Sequence, residues 1–573
     1  MSLNLPADAD PRALTRWEAL APHCEELADR PLPDDLAVTA WLGDWSRLSE
    51  LVYEGGALLS IAYKQDTEDA ERKEAYLSYV REVGPRLRTF EQTLKARLLE
   101  TGWASETMAE PLKQFRADAA VFREANVPLL AEEQVLAARY SEAVGSLTVS
   151  FDGRSRTLPA LAPYRALPDR AVREAAWRAG HEAMLGVRGD LDELFDQLLR
   201  LRCRIGNHAG FDDYRDYRWQ LMGRFDYTPA DARRFQGSIR EVVVPALRRQ
   251  AARRARALGL DALRPWDLEV DPHGSEPLRP FASTEELTAG AIRIFDRVAA
   301  DLGDRVRRMR DEGLLDLANR KGKAPGGFCA GLQARGRPFI FMNAVGTDDN
   351  VRTLLHEAGH AFHVFERVPL PFIWQRNTPM EFCEVASMTM ELLTAPYLAA
   401  ADGGFYEPRE AVRSRIQHLE RMIEFLPYMA TVDAFQHWAY AHPDHDRSAR
   451  DAAWLALHEE FCVAADWSGL DESRESLWQH KLHIFQSPFY YIEYGLAQLG
   501  ALQIWRDSLG DPAGALARYR AALALGGTRP LPDLFATAGA RLAFDPETVG
   551  ELVTLVERTI ADLEAALPPT GGG

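Results

Sequence analysis

Val351, Leu354, Leu355, Ala358, Phe362 and Phe365 return at three- and four-residue spacing, which commits this stretch to an amphipathic helix. Inside it runs His356-Glu357-Ala358-Gly359-His360. On a helix, residues four apart lie about 40° apart around the axis and roughly 6 Å along it. His356 and His360 can therefore aim at one point, as a tetrahedral Zn²⁺ site requires. Glu357 lies about 100° round from His356, too far to ligate comfortably but able to reach a water on the metal. Two ligands and a general base thus share one helix, the arrangement of a metalloprotease. Thr347-Asp348-Asp349 offers an N-cap with acidic first-turn residues, and Pro369 and Pro371 stop the pattern, so a helix is predicted over 348–366.

The motif alone is weak in a chain with 14 histidines, and its surroundings carry the argument. Upstream, Pro338-Phe-Ile-Phe-Met-Asn343 reads as a strand that turns at Gly346 into the helix. Such a strand offers an edge for an extended peptide, which nominates Phe339, Phe341 and Asn343 as substrate contacts. The preceding Lys323-Ala-Pro-Gly326-Gly327-Phe328-Cys329 has two readings. It is a turn feeding the strand, or a loop over a bound peptide, where two glycines permit close backbone approach.

A catalytic zinc needs a third protein ligand and an open position. Thr378-Pro379-Met380-Glu381 resembles a capping box with proline at the first helical position, opening a helix over 379–395 that Pro396 closes. Glu381, Glu384, Met388 and Glu391 share one face of it. By periodicity any of the three glutamates can be the ligand; Glu381 has a capping role, and Glu391 can orient a ligand histidine from behind. Cys383 reads as small core packing and His363 as hydrogen-bonded packing near the site.

The remaining chain sets the frame. At 573 residues it exceeds a single-core domain, and 46% apolar with 27% charged residues describes a globular protein. A net charge of −18 argues against a nucleic-acid or anionic-membrane surface, which needs a basic patch. No run of about 20 apolar residues occurs, so no membrane span is expected. Met1 to Asp8 lacks the layout of a signal peptide, and five scattered cysteines without C-x-x-C spacing suit a reducing cytosol, so a cytoplasmic location is expected. Residues 1–165 read as an N-terminal helical region with a hairpin near 147–158 around Asp152-Gly153. Residues 166–573 carry the functional motifs, and Pro568 to Gly573 reads as a frayed tail.

A second cluster is His483-Ile-Phe-Gln-Ser-Pro-Phe-Tyr490-Tyr491-Ile-Glu-Tyr494. Peptide hydrolysis passes through a tetrahedral oxyanion, and phenol and imidazole are suitable donors to it. Aromatic density of this kind is also what a core contains.

Glu384-Val-Ala-Ser387-Met-Thr-Met-Glu391 is an E-x-x-S-x-x-x-E pattern that starts 24 residues beyond His360. With the H-E-x-x-H, it resembles the thimet oligopeptidase / oligoendopeptidase F family of zinc metallopeptidases. The P-F-Y-Y-I-E-Y-x-L-A-Q-L form is similar to the Pz-peptidase branch. The resemblance runs from about residue 165 to 510. It implies a mainly α fold, two helical lobes around a deep substrate channel, with a small β-sheet edge beside the motif helix (a zincin with a gluzincin-type site). It implies one Zn²⁺ per chain held by His356, His360 and Glu384, with Glu381, Glu391 and Ser387 behind them, and Glu357 as base. It turns the aromatic cluster towards the chemistry, with His483 and Tyr491 as the nearest pair and the roles of Tyr490 and Tyr494 open. The implied activity is cleavage of internal bonds in short oligopeptides by a metal-activated water. A zinc exopeptidase and a non-catalytic peptide-binding metalloprotein are the alternatives. The oligomeric state is not readable.

Overall fold

The computed structural model describes Leu3, Leu5 and residues 9–320 and 322–567; the tail expected from Pro568 lies outside the described residues. Helices dominate, and local chemistry starts many of them. Asp169 caps the helix Arg170–Leu185 by accepting the Ala171 amide. Thr228 and Asp231 close a reciprocal capping box at Pro229–Ser238, and Ser283 accepts the Glu286 amide ahead of Thr284–Val298. The stripe Leu191, Leu194, Phe195 and Leu198 is buried on Arg188–Ala209.

Two large apolar cores and a small cluster of Trp177, Trp266 and Leu470 organise these helices. The smaller core is built mainly from residues before Phe115, including Trp41 and Trp45, and it also takes in Ile373 and Trp374. Trp374 lies 4.3 Å from Trp45 and meets Phe115 edge-on at 5.5 Å. The segment after the motif helix is therefore plugged into the N-terminal helices, a contact of the aromatic kind that adds to area burial. The larger core spans most of the rest and includes the motif helix, the helix Met380–Thr394 and the helix Ile492–Ser508.

Two small sheets interrupt the helices. Strands β1 (Thr148–Phe151) and β2 (Arg154–Thr157) pair antiparallel around Asp152 and Gly153, both at positive φ, as a two-residue hairpin requires. Strands β3 (Leu315–Ala318), β4 (Phe328–Leu332) and β5 (Arg337–Ala344) form the second sheet in the order β3-β5-β4. This corrects the sequence reading: the run Pro338–Asn343 is the central strand, paired parallel to β3 and antiparallel to β4. Its hydrogen-bonding edges are used on both sides, so a peptide cannot add there, and β4 holds the edge position instead. Phe339 (7% exposed) and Phe341 (0%) are consequently core residues rather than substrate contacts. Phe341 stacks on Phe328 at 4.8 Å.

The motif helix spans Asp348–Arg367, with Asn350 Oδ1 accepting the amides of Thr347 and Val345. A side chain at Gly359 would bring its Cβ to 2.6 Å from Ser387 Cα and 2.7 Å from the Ala386 carbonyl. Only glycine lets this helix approach Met380–Thr394 so closely. The expected capping box at Thr378 does not form. The Thr378 amide donates to the Arg376 carbonyl, its hydroxyl faces His363 Nε2 at 3.1 Å, and Pro379 takes the cap position. Glu381 is thereby free for a different, buried role.

Candidate active site

Three side chains from two crossing helices converge. The donor atoms of His356, His360 and Glu384 all lie within 4.8 Å of one another. Glu384 Oε2 is 3.4 Å from Nε2 of His356 and 3.4 Å from Nε2 of His360. Donors about 2.1 Å from one ion at tetrahedral angles stand about 3.4 Å apart, so both Glu384–histidine separations match those of a zinc site.

The groups behind the donors hold them in that pose. His356 Nδ1 is 2.7 Å from Glu391 Oε1, which leaves Nε2 to face Glu384. The other Glu391 oxygen is 2.9 Å from His418 Nε2 on the long helix Pro408–Ala441. Burial works against charge on Glu391, but its hydrogen bonds to His356 and His418 outweigh it and bring the carboxyl down to about 2. Burial also opposes charge on Glu384, yet the two histidines hold it well below the usual range, so it stays a carboxylate. Ser387 Oγ lies 3.1 Å from Glu384 Oε2. Glu381 points elsewhere: it accepts the Tyr227 hydroxyl at 2.6 Å and stands 3.4 Å from Arg224 Nε.

Glu357 is buried at 6% exposure, and among the described residues its Oε2 has no hydrogen-bond partner. An unsatisfied buried carboxylate oxygen costs free energy unless it has a task. Burial raises its pKa, with neighbouring His356 and His360 pulling the other way. Gly327 abuts it: a Cβ there would sit 3.4 Å from Glu357 Oε1. Asn343 Nδ2 donates to the carbonyls of Ala324 and Gly326 at 2.9 and 3.0 Å, so its amide holds the glycine loop over the base. Phe328 follows on the edge strand, half-buried.

The aromatic segment forms the facing wall. Tyr490 donates its hydroxyl to Glu384 Oε1 at 2.7 Å, and Tyr494 hydroxyl faces His483 Nε2 at 3.4 Å. His483 touches the ring of Tyr491 at 5.1 Å, but the Tyr491 hydroxyl makes no bond to a site group. Its ring packs on Phe425 and Tyr428, and burial with the Cys462 thiol raises its pKa. The His483 ring lies beside Tyr491, as expected, while the hydroxyls that reach site groups are those of Tyr490, on Glu384, and Tyr494, on His483. Burial brings His483 down to about 4, so the ring is neutral at pH 7.

Several groups essential to this wall escaped the sequence reading. Phe489 is a buried non-glycine residue at φ 65°. Its amide donates to Gln436 Oε1 at 2.7 Å and its carbonyl accepts from Arg224 at 2.6 Å. Arg224 also reaches Glu493 at 2.9 Å and lies 4.4 Å from the Trp219 ring centroid. A left-handed conformation at a bulky residue persists only when its surroundings impose it. No local pattern marks Arg224, Gln436 or His418 as partners, since all lie more than 25 residues from the groups they hold.

A cavity of about 1730 Å³ opens beside the site. Gly326, Gly327, Asn343, His480 and Gln486 line one side, and N-terminal helices carrying Tyr53, Lys64, Arg88 and Tyr140 line the other.

The profile of peptidase family M3 matches residues 164–551, which contain every group just described except those of the N-terminal helices and the hairpin. The chain is 25% identical over 347 residues to Oligopeptidase PepF of Bacillus subtilis (strain 168), covering 56% of this chain and 48% of that protein. It thus spans about half the length of that relative. Against the Oligoendopeptidase F homolog of Mycoplasma pneumoniae the identity is 23% over 450 residues, covering 73% and 70%. The solved structure of Pz peptidase A with an inhibitor superposes with a TM-score of 0.91 at 26% identity, covering 96% of this chain and 97% of that one.

Proposed function

The chain belongs to peptidase family M3, and from that premise we propose that it is a zinc-dependent endopeptidase of short oligopeptides. The observation that carries the reading is Glu384 Oε2 standing 3.4 Å from both motif histidines while the buried Glu357 beside them keeps an unpartnered oxygen. A structural metal site has no use for such a base. The oligopeptidase names of its relatives support the substrate class.

In this reading His356, His360 and Glu384 would hold a zinc ion, which would supply Lewis acidity at the scissile carbonyl. Glu357 takes the proton of the attacking water and returns it to the leaving amine. Burial raises its pKa and so makes it a stronger base than an exposed carboxylate. Tyr494, with His483 behind it, donates to the oxygen that gains charge, while Tyr490 fixes the orientation of Glu384. The loop at Gly326 and Gly327 lies over the bound peptide. Residues 1–165 cover the cavity and restrict it to short chains, and 166–573 perform the chemistry. A cytosolic location belongs to the same reading, and five free cysteines support it as usage suited to a reducing compartment.

Mass spectrometry of an N-acetylated, C-amidated peptide tests this. Internal cleavage that stops with a chelator and returns with Zn²⁺ is expected. Cleavage confined to peptides with a free terminus would make it an exopeptidase, and none at all in zinc-loaded protein would make it a binding protein.

A further inference from the structure

The cavity carries a charge opposite to that of the molecule around it. The chain has a net charge of −18, yet among the described residues eight Lys and Arg side chains line the cavity against four Asp and Glu. Two of those acids are already neutralised: Asp118 pairs with Lys95 at 2.8 Å and Glu142 with Lys73 at 2.7 Å. A third, Glu91, is engaged by the Tyr53 hydroxyl, and its pKa is raised by burial.

Among the described residues, three of the cations, Lys64, Arg88 and Arg123, form no ion pair with a carboxylate, although Arg88 is near enough to favour charge on Glu91. Arg123 donates only to the backbone carbonyls of Ala120, Phe122 and Ala209. Lys64 Nζ lies 4.4 Å from the Phe328 ring centroid, and its own carbonyl accepts the Ala324 amide at 2.8 Å. It therefore stands at the glycine loop that abuts Glu357. A half-buried ammonium without a counter-ion is unfavourable in the empty state, since burial disfavours its charge. An anionic ligand relieves that cost. A cleft lined by one sign of charge between low-dielectric walls also concentrates ligands of the opposite sign.

We propose that this cavity makes the enzyme selective for peptides rich in carboxylates, with Lys64 and Arg88 as specificity-determining cations. The proposal rests on the peptidase reading above and deepens it. The carboxylate comes from an acidic side chain or from the peptide's C-terminus. Both fit the same cations.

The test uses peptides of one length that differ only in carrying Glu, Gln or Lys at flanking positions, each with a free or amidated C-terminus. The full-length protein should cleave the Glu peptide with a kcat/KM about tenfold above the Lys peptide at low salt. The ratio should shrink towards one in about 0.5 M salt, where charges are screened within a few ångströms. It should also shrink at low salt in Lys64→Met and in Arg88→Met, two independent variants that keep most of the aliphatic stem and lie outside the catalytic machinery. Loss of preference on amidation alone assigns the contact to the C-terminus, and loss on Glu→Gln assigns it to side chains. Equal kcat/KM for the Glu and Lys peptides, or a ratio that both variants leave unchanged, overturns the proposal. If no peptide is cleaved, the peptidase reading fails separately. Fluorescence anisotropy of labelled peptides then reads the same preference: tighter binding of the Glu peptide upholds the proposal and equal binding rejects it.

Discussion

The two walls of the site are built in different ways. The metal wall is regular: two helices cross at Gly359, and each donor projects from an uninterrupted helical turn. The tyrosine wall is irregular. Tyr490 follows a left-handed Phe489 whose backbone is held by Arg224 and Gln436 from two other parts of the chain, with Arg224 in turn paired to Glu493 of the same segment. Helix geometry guarantees the spacing of His356 and His360 wherever the helix forms. The position of Tyr490 depends instead on buried charges that must all be present, because removing one leaves the others uncompensated. Damage to the first wall should therefore be local and chemical, and damage to the second should spread into stability.

The largest effect separates chemistry from assembly on the first wall. Glu357→Gln should lower kcat by ~10²–10⁴ while zinc content by atomic absorption stays near one per chain. Retained turnover with intact zinc rejects Glu357 as the base. On the facing wall, Tyr494→Phe should lower kcat by ~10² with little change in KM, as expected for a donor that acts on developing charge. A rise in KM alone would mean that this hydroxyl binds ground-state substrate.

Arg224→Met tests the spreading of damage. It strands Glu493 in the core, where it is 1% exposed, and leaves Glu381 only the Tyr227 hydroxyl, and should cost about 3 kcal/mol in urea unfolding. A midpoint equal to that of the parent protein would show the network to be dispensable, and with it the contrast between the walls. Smaller still, Glu391→Gln should weaken zinc binding by ~10-fold, read by competition with a chromogenic chelator. It keeps the shape of the partner of His356 and His418 but gives up its charge. Unchanged affinity would leave Glu391 no part in holding the metal wall.

What the sequence disclosed follows the same division. Periodicity and end signals sufficed for the motif helix, and one face of the next helix narrowed the third ligand to Glu381, Glu384 and Glu391, because these are local properties. The order of the β3-β5-β4 sheet was not local. An apolar run such as Pro338–Asn343 is equally consistent with an edge strand and a central one until its neighbours are known, so Phe339 and Phe341 were misplaced at the surface. Thr378 and Glu381 matched a capping pattern, yet His363 and Tyr227 offered both side chains stronger buried partners. The three tyrosines were visible as a cluster, but no short-range signal announces the left-handed Phe489 that precedes Tyr490. The charge of the cavity was masked by a composition that is acidic overall.

Tyr491 provides the smallest and most discriminating change. It lies between Tyr490 and Tyr494 in the chain and its ring touches His483, yet its hydroxyl reaches no site group, and the ring also packs 5.7 Å from Phe425 and 6.1 Å from Tyr428. Lys481 Nζ stands 4.9 Å from the Tyr491 ring centroid, a contact that a phenylalanine ring preserves. Removing the hydroxyl thus deletes no bond to the site and leaves the packing intact. Tyr491→Phe should keep kcat/KM within about twofold of the parent, whereas Tyr494→Phe loses about two orders of magnitude. A loss as large in Tyr491→Phe would mean that the tyrosine wall rotates when peptide binds, bringing Tyr491 inward. The irregular wall would then be the moving one, and its dependence on Arg224 would describe only the resting pose.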